Sequence, residues 1–262
     1  MNWFALLVPY MMATAFGLAA GSFLNVLIYR LPRKQSIVFP ASHCTSCGTP
    51  ILYRDNIPIL GYLFLRGKCR VCGISISPMY PLIELITGCV VLYLFAVYGL
   101  SMVFFRDVAF ACILLVAFVI DMRHMIIPDK LTISGGIIAL IFSLFFGVYG
   151  VVNAFGGAIV GIFILLIMAL MGRIMFKRES MGLGDFKLAI VTGFFLGPIW
   201  NLIALVAAIL FGGIFGIISL SAGKTRRGEE IPFGPFIAAG CFMVLFFRRQ
   251  FLFLISKYLS FF

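Results

Sequence analysis

The chain is poor in charge, and poorer in one sign than in the other. Only 11% of its 262 residues are charged, and nine Asp and Glu stand against twenty Lys and Arg. Together with 63% hydrophobic residues and a mean hydropathy of +1.16, this scarcity excludes a soluble globular domain, in which about a quarter of residues are charged. The first apolar run has no basic stretch ahead of it, and its positive charge follows at Arg30. From that order the first run is expected to stay as an anchor and not to be a cleaved signal peptide. The chain carries no glycine-rich nucleotide fingerprint of the strand-to-helix kind, and no inverted repeat of the sort that marks many transporters. With so few acids, each carboxylate is informative.

Long apolar runs fill the rest of the chain. Crossing about 30 Å of hydrocarbon takes roughly 20 apolar residues, and candidate spans fall at 3–29, 81–100, 103–120, 131–150, 151–171, 186–198, 201–221 and 234–253. The expectation is an all-α polytopic membrane protein of about eight transmembrane helices. Tyr98-Gly-Leu-Ser101, Tyr149-Gly-Val151 and Gly197-Pro-Ile-Trp-Asn201 read as turns between spans. The division expected is a first helix at 1–29, a small cytoplasmic domain at 30–80, and a seven-helix membrane domain at 81–262.

Lys and Arg in short loops lie preferentially on the cytoplasmic side. Sixteen of the twenty fall on alternate loops: Arg30, Arg33, Lys34, Arg54, Arg66, Lys68 and Arg70, then Arg123 and Lys130, then Arg173, Lys177, Arg178 and Lys187, then Lys224, Arg226 and Arg227. The N-terminus is therefore expected outside and these loops inside. The pair Arg248-Arg249 conflicts with eight spans unless it snorkels to the interface or the last helix ends early. The net charge of +11 then belongs to a face that meets anionic headgroups, so the expected partner is membrane lipid and not nucleic acid.

The one sizeable polar segment carries Cys44-Thr-Ser-Cys47 and Cys69-Arg-Val-Cys72. Two such knuckles about twenty residues apart have the spacing of a four-cysteine zinc site, whose filled shell makes the metal structural. Gly48 and Gly73 follow the knuckles and suit the turn that aims backbone amides at a thiolate. Disulfides are the alternative, disfavoured in a reducing cytoplasmic loop. His43 reads as a neighbour to the metal, and Cys89, Cys112 and Cys241 as small buried hydrophobes.

Asp121 closes an apolar run and Asp185 follows Met181-Gly-Leu-Gly184, so both acids sit at the cytoplasmic edge of the membrane. Charge near hydrocarbon is costly and is usually kept for protons, ions or chemistry. Two carboxylates that meet share a proton and can act as an aspartic-protease dyad. Gly182 and Gly184 permit close backbone approach, and Lys187 completes the supporting loop. The plainer alternative makes Asp185 a helix cap, as Asp129 is expected to be after Pro128.

These blocks resemble the type IV prepilin peptidases, bifunctional membrane leader peptidases and N-methyltransferases. The resemblance is carried by Gly21-Ser-Phe-Leu-Asn-Val26 with Arg30-Leu-Pro32, the two cysteine knuckles, Leu65-Arg-Gly67, Ile76-Ser77 with Tyr80-Pro81 and Glu84, the loop Asp121 to Asp129, and Gly182-Leu-Gly-Asp-Phe-Lys187. It implies a bacterial inner-membrane enzyme whose catalytic pair is Asp121 and Asp185, as in Gly-x-Gly-Asp intramembrane proteases, with Asp129 outside the pair. It implies prepilin or pseudopilin substrates, cut on the cytoplasmic side after a glycine between a basic leader and an apolar helix. It also implies methylation of the new N-terminus from S-adenosylmethionine by the cysteine domain, with Gly67 and Glu84 as candidate residues. For these two the structural alternatives are a turn and a salt bridge to Arg30 or Arg66.

The competing reading is a proton-coupled transporter in which Asp121, Asp185 and Glu84 line a path near the midplane. The position of the two aspartates at helix ends argues against it. A third reading is a zinc-bearing scaffold that docks pilus machinery.

Overall fold

A computed structural model describes residues 3–176, 181–223 and 231–259. Lys177, Arg178, Lys224, Arg226 and Arg227, which entered the loop-charge count, lie outside the described residues. Among the described residues the chain is helical with no β-strand: α1 (Trp3–Arg30), α2 (Leu60–Phe64), α3 (Met79–Tyr98), α4 (Met102–His124), α5 (Asp129–Leu144), α6 (Gly147–Phe176), α7 (Leu183–Ser221) and α8 (Gly234–Leu259). Six of these helices are long and apolar enough to cross a membrane. Side chains such as Met11, Phe16, Ile159, Phe163 and Ile217 stand exposed on them, which suits lipid, where only helices with internally satisfied backbones survive.

The two further spans expected are present as shorter pieces. The helix expected at 131–150 is the 16-residue α5, and the spans expected at 186–198 and 201–221 are the two arms of α7, which meet at Gly197 (φ 75°, ψ 178°). Their junction is a corner. Asn201 Nδ2 donates to Ala189 O at 3.3 Å, and the Thr192 hydroxyl donates to Asn201 Oδ1 at 2.8 Å. In a straight helix, residues nine and twelve apart would stand about 13 and 18 Å apart along the axis. The chain therefore folds back at Gly197, as expected from Gly197-Pro198, and the two arms 183–196 and 198–221 lie against each other.

The chain divides into two compact units, Met1–Cys112 and Ile113–Phe262. In the first, α1 packs on α3 with backbones in close contact: a Cβ on Gly17 would lie 2.9 Å from Gly88 Cα, and one on Gly21 would lie 2.7 Å from Glu84 Cα. Small residues at a membrane helix crossing allow this approach. In the second, Gly157 on α6 meets the Gly193 backbone of α7 with no room for a side chain on either, and Asn201 Nδ2 also donates to Gly157 O at 3.0 Å. Both arginines of the Arg248-Arg249 pair lie inside α8. α8 does not end early, and Arg248 lies over the Trp200 ring at 5.1 Å, beside the Gly197 corner. Cys241 is buried as expected, whereas Cys89 is exposed on α3.

Candidate active site and metal centre

Asp121 does not open the loop after α4. The helix continues to His124, so the carboxylate hangs from its last turns, and it is 5% exposed. The chain leaves α4 through Met125 at φ 52° and enters α5 at Pro128, so that the 125–128 loop returns close to the start of α7. A Cβ on Gly184 would lie 3.1 Å from Ile127 Cβ, which is why this position takes glycine. Asp185 occupies the first turn of α7 and is 9% exposed. Gly182 holds the N-cap position without a side-chain cap bond, and the Asp185 carboxylate, three residues on, accepts from the Gly182 amide.

The two aspartates, both buried, lie within electrostatic reach of each other, so that the negative charge of Asp121 acts on Asp185. A third element completes the arrangement: the Gly234 amide, first in α8, donates to Asp121 Oδ2 at 3.0 Å. Helix starts leave amides without intrahelical partners, and Asp121 satisfies one from a distant helix. Gly234 was missing from the sequence expectations. The only local signal was a Gly-Pro pair before an apolar run, which predicts a helix start and not a partner.

Asp129 is not a cap either. Pro128 holds the N-cap position, and the Asp129 carboxylate pairs with Lys187 Nζ at 2.5 Å. This exposed ion pair ties the loop after Asp121 to the helix carrying Asp185. The partner of Lys187 is thus a residue to which the sequence assigns a different role.

In the first unit the four knuckle sulfurs converge, all within 4.8 Å of one another, with Cys44 Sγ 3.9 Å from Cys72 Sγ. A tetrahedral zinc with Zn–S near 2.3 Å sets sulfur–sulfur edges at about 3.8 Å, so the set fits that metal. All four cysteines are free. The knuckles are built alike: Gly48 N donates to Cys44 O at 2.9 Å and Gly73 N to Cys69 O at 3.0 Å, with both glycines near φ 70°. The Thr49 hydroxyl draws the Cys47 thiol down to about 6, and the Cys72 and Val71 amides lower Cys69. At Cys72 the lowering bond from the Ile74 amide is outweighed by desolvation and the neighbouring sulfurs, which push it up to about 11. His43 turns away, its Nδ1 2.9 Å from Ala41 O.

Beside this cluster a cleft of about 850 Å³ opens between α1, the cysteine segment and α3, with Glu84, Tyr62, Tyr80 and Asn25 in its wall. Glu84 is 8% exposed and forms no ion pair among the described residues. Its Oε2 accepts from Ile59 N at 2.7 Å. Arg30, one expected partner, instead donates to Ser36 O at 2.9 Å and Pro40 O at 2.6 Å. Gly67 does serve a turn: at φ 68° a Cβ there would lie 2.9 Å from the Tyr62 hydroxyl.

Comparison with known proteins agrees with this architecture. The model of the bacterial Peptidase A24 N-terminal domain matches residues 15–98, and that of the type IV leader peptidase family matches residues 108–217. A Pseudomonas putida protein named prepilin leader peptidase/N-methyltransferase is 33% identical over 262 residues, covering 89% of this chain and 89% of its own. The chain belongs to the type IV leader peptidase family. A relative of the same name from Bacillus subtilis (strain 168) is 33% identical across 86% of this chain and 89% of its own, and one from Myxococcus xanthus (strain DK1622) is 37% identical across 83% and 67%. No solved structure matches the chain. Membership disfavours the transporter reading, as does the position of both acids at helix ends.

Proposed function

We propose that the protein cleaves the basic leader from type IV prepilins and pseudopilins at the cytoplasmic face of the bacterial inner membrane, with Asp121 and Asp185 as its catalytic pair. The observation that carries the reading is the approach of these two buried carboxyl groups at the ends of α4 and α7. Two carboxyls at short range share a proton. The ionised one takes a proton from water as the water oxygen attacks the scissile carbonyl, and the protonated one donates to the developing oxyanion. Collapse breaks the carbon–nitrogen bond, and the leaving amine takes a proton back from the pair. The Gly234 amide holds Asp121 Oδ2 in place. With the N-terminus outside, α4 ends and α7 begins on the cytoplasmic side, where a leader would join an apolar helix. Incubating detergent-purified protein with prepilin tests the reading: wild type releases the leader, and Asp121→Asn and Asp185→Asn do not. Normal release by either variant removes the dyad.

The same reading gives the 30–80 segment a second activity, N-methylation of the newly exposed residue, as the names of the relatives suggest. The four cysteines hold Zn2+ as a structural centre. The cleft beside them suits S-adenosylmethionine: it falls in the range of small-molecule sites, and it offers aromatic rings and a buried carboxylate to a sulfonium cation. Gly67 shapes its floor by leaving the Tyr62 hydroxyl room.

A further inference from the structure

Two acids of the cleft have buried side chains, and of the two Asp55 is paired with Arg70 while Glu84 forms no ion pair among the described residues. Its neighbours are neutral donors, the Ile59 amide at 2.7 Å and the Ser22 hydroxyl. The two cations in the cleft wall are committed elsewhere: Arg30 to the carbonyls of Ser36 and Pro40, and Arg70 to Asp55 at 2.5 Å. A buried carboxylate without a counter-charge is costly unless a partner supplies one. The site also maintains a strained backbone: Ile59, a β-branched residue, sits at φ 59°, and its amide points at Glu84. Strain of this kind persists only where the surroundings over-determine it. Close packing of Gly21 on Glu84 Cα brings Ser22 and Asn25 to the same place, and Asn25 Nδ2 fixes the Tyr80 carbonyl at 3.1 Å.

We propose that Glu84 receives the free α-amine of the cleaved pilin and takes the proton that the amine must lose before methylation. This inference rests on the methyltransferase reading above. The amine enters as an ammonium and pairs with the carboxylate, which then accepts one proton and leaves a neutral nitrogen with its lone pair free. When bound, S-adenosylmethionine supplies the methyl group: a nitrogen–carbon bond forms, the carbon–sulfur bond breaks, and its electron pair stays on sulfur. The product nitrogen is an N-methylammonium, and Glu84 returns its proton to water. One proton is released per methyl transferred.

Two synthetic peptides of a mature pilin N-terminus, one with a free α-amine and one N-acetylated, test this by equilibrium binding to the full-length protein. Wild type is expected to prefer the free amine by about tenfold or more, and Glu84→Gln to bind the two alike. Glutamine keeps an acceptor for the Ile59 amide, and zinc content equal to wild type reports an intact fold. In parallel, Glu84→Gln should transfer labelled methyl groups to the free-amine peptide at least about a hundredfold more slowly than wild type, the scale of a lost general base. A wild type without amine preference overturns the proposal, and so does a Glu84→Gln variant that keeps the preference. Failure of the underlying reading looks different: wild type would transfer no label at all while still discriminating between the peptides.

Discussion

The Gly234 amide at the head of α8 donates to Asp121 Oδ2 over 3.0 Å, across 113 residues of sequence. A Cβ on residue 234 would lie 2.6 Å from that oxygen and 3.3 Å from Asp121 Cβ. Gly234→Ala must therefore move the carboxyl or the helix. Displacement of a reacting group by about 1 Å can cost a hundredfold in rate, so prepilin cleavage is expected to fall by about ten- to a hundredfold in kcat, with zinc content unchanged. Gly213→Ala on α7, where nothing lies within 4 Å, is the matched control and should cleave like wild type.

The Asp129–Lys187 pair ties the two aspartate-bearing segments but is exposed on both sides. Exposed pairs are worth about 0 to 1 kcal/mol, so Asp129→Asn and Lys187→Gln should each slow cleavage by no more than about fivefold. The double variant should be no slower than the worse single. Their effect should shrink in high salt, where such pairs are screened, and a double-mutant cycle on cleavage rates reads the coupling. A loss of a hundredfold in either single would place that residue in the chemistry.

Metal analysis of purified protein should give one zinc per chain. Cys69→Ser should lose it, because three thiolates bind zinc far less tightly than four, and folding of such a segment is coupled to the metal. Protease cleavage at the basic residues between Arg33 and Arg70 should accelerate in that variant or in a strong chelator. Full zinc content in Cys69→Ser would move the metal to other ligands.

Asn201 holds the Gly197 corner by bonding Gly157 O, Ala189 O and Thr192 at once, with all its polar atoms buried. Asn201→Ala would leave Gly157 O without its side-chain donor and the Thr192 hydroxyl with Ala189 O alone. An unsatisfied buried group costs about 1 to 3 kcal/mol, which in a chain of this size lowers the unfolding midpoint by roughly 2 to 12 °C. Thermal unfolding in detergent measures it, and an unchanged midpoint would mean that the corner holds without this network.

Much of this architecture can be read from local pattern. Apolar runs of about twenty residues mark helices whatever their neighbours do, and two knuckles closed by Gly48 and Gly73 specify a cluster within one short segment. The pairing of Asp121 with Asp185 could be expected because topology puts both at the same membrane edge. What sequence could not supply are partners chosen by packing. Gly234 reaches Asp121 only because α8 begins where α4 ends its last turn, Asp129 abandons a capping role because Pro128 already occupies that position, and Glu84 finds Ile59 in place of an arginine. Each is a contact across 25 or more residues, beyond the reach of any local signal.

Mass spectrometry of a prepilin co-expressed with the protein tests the central claim most directly. With wild type, the pilin mass should fall by the leader and rise by one methyl group. With Asp121→Asn or Asp185→Asn the pilin should keep its full precursor mass. Recovery of mature-length pilin with either variant would contradict the assignment of hydrolysis to this pair.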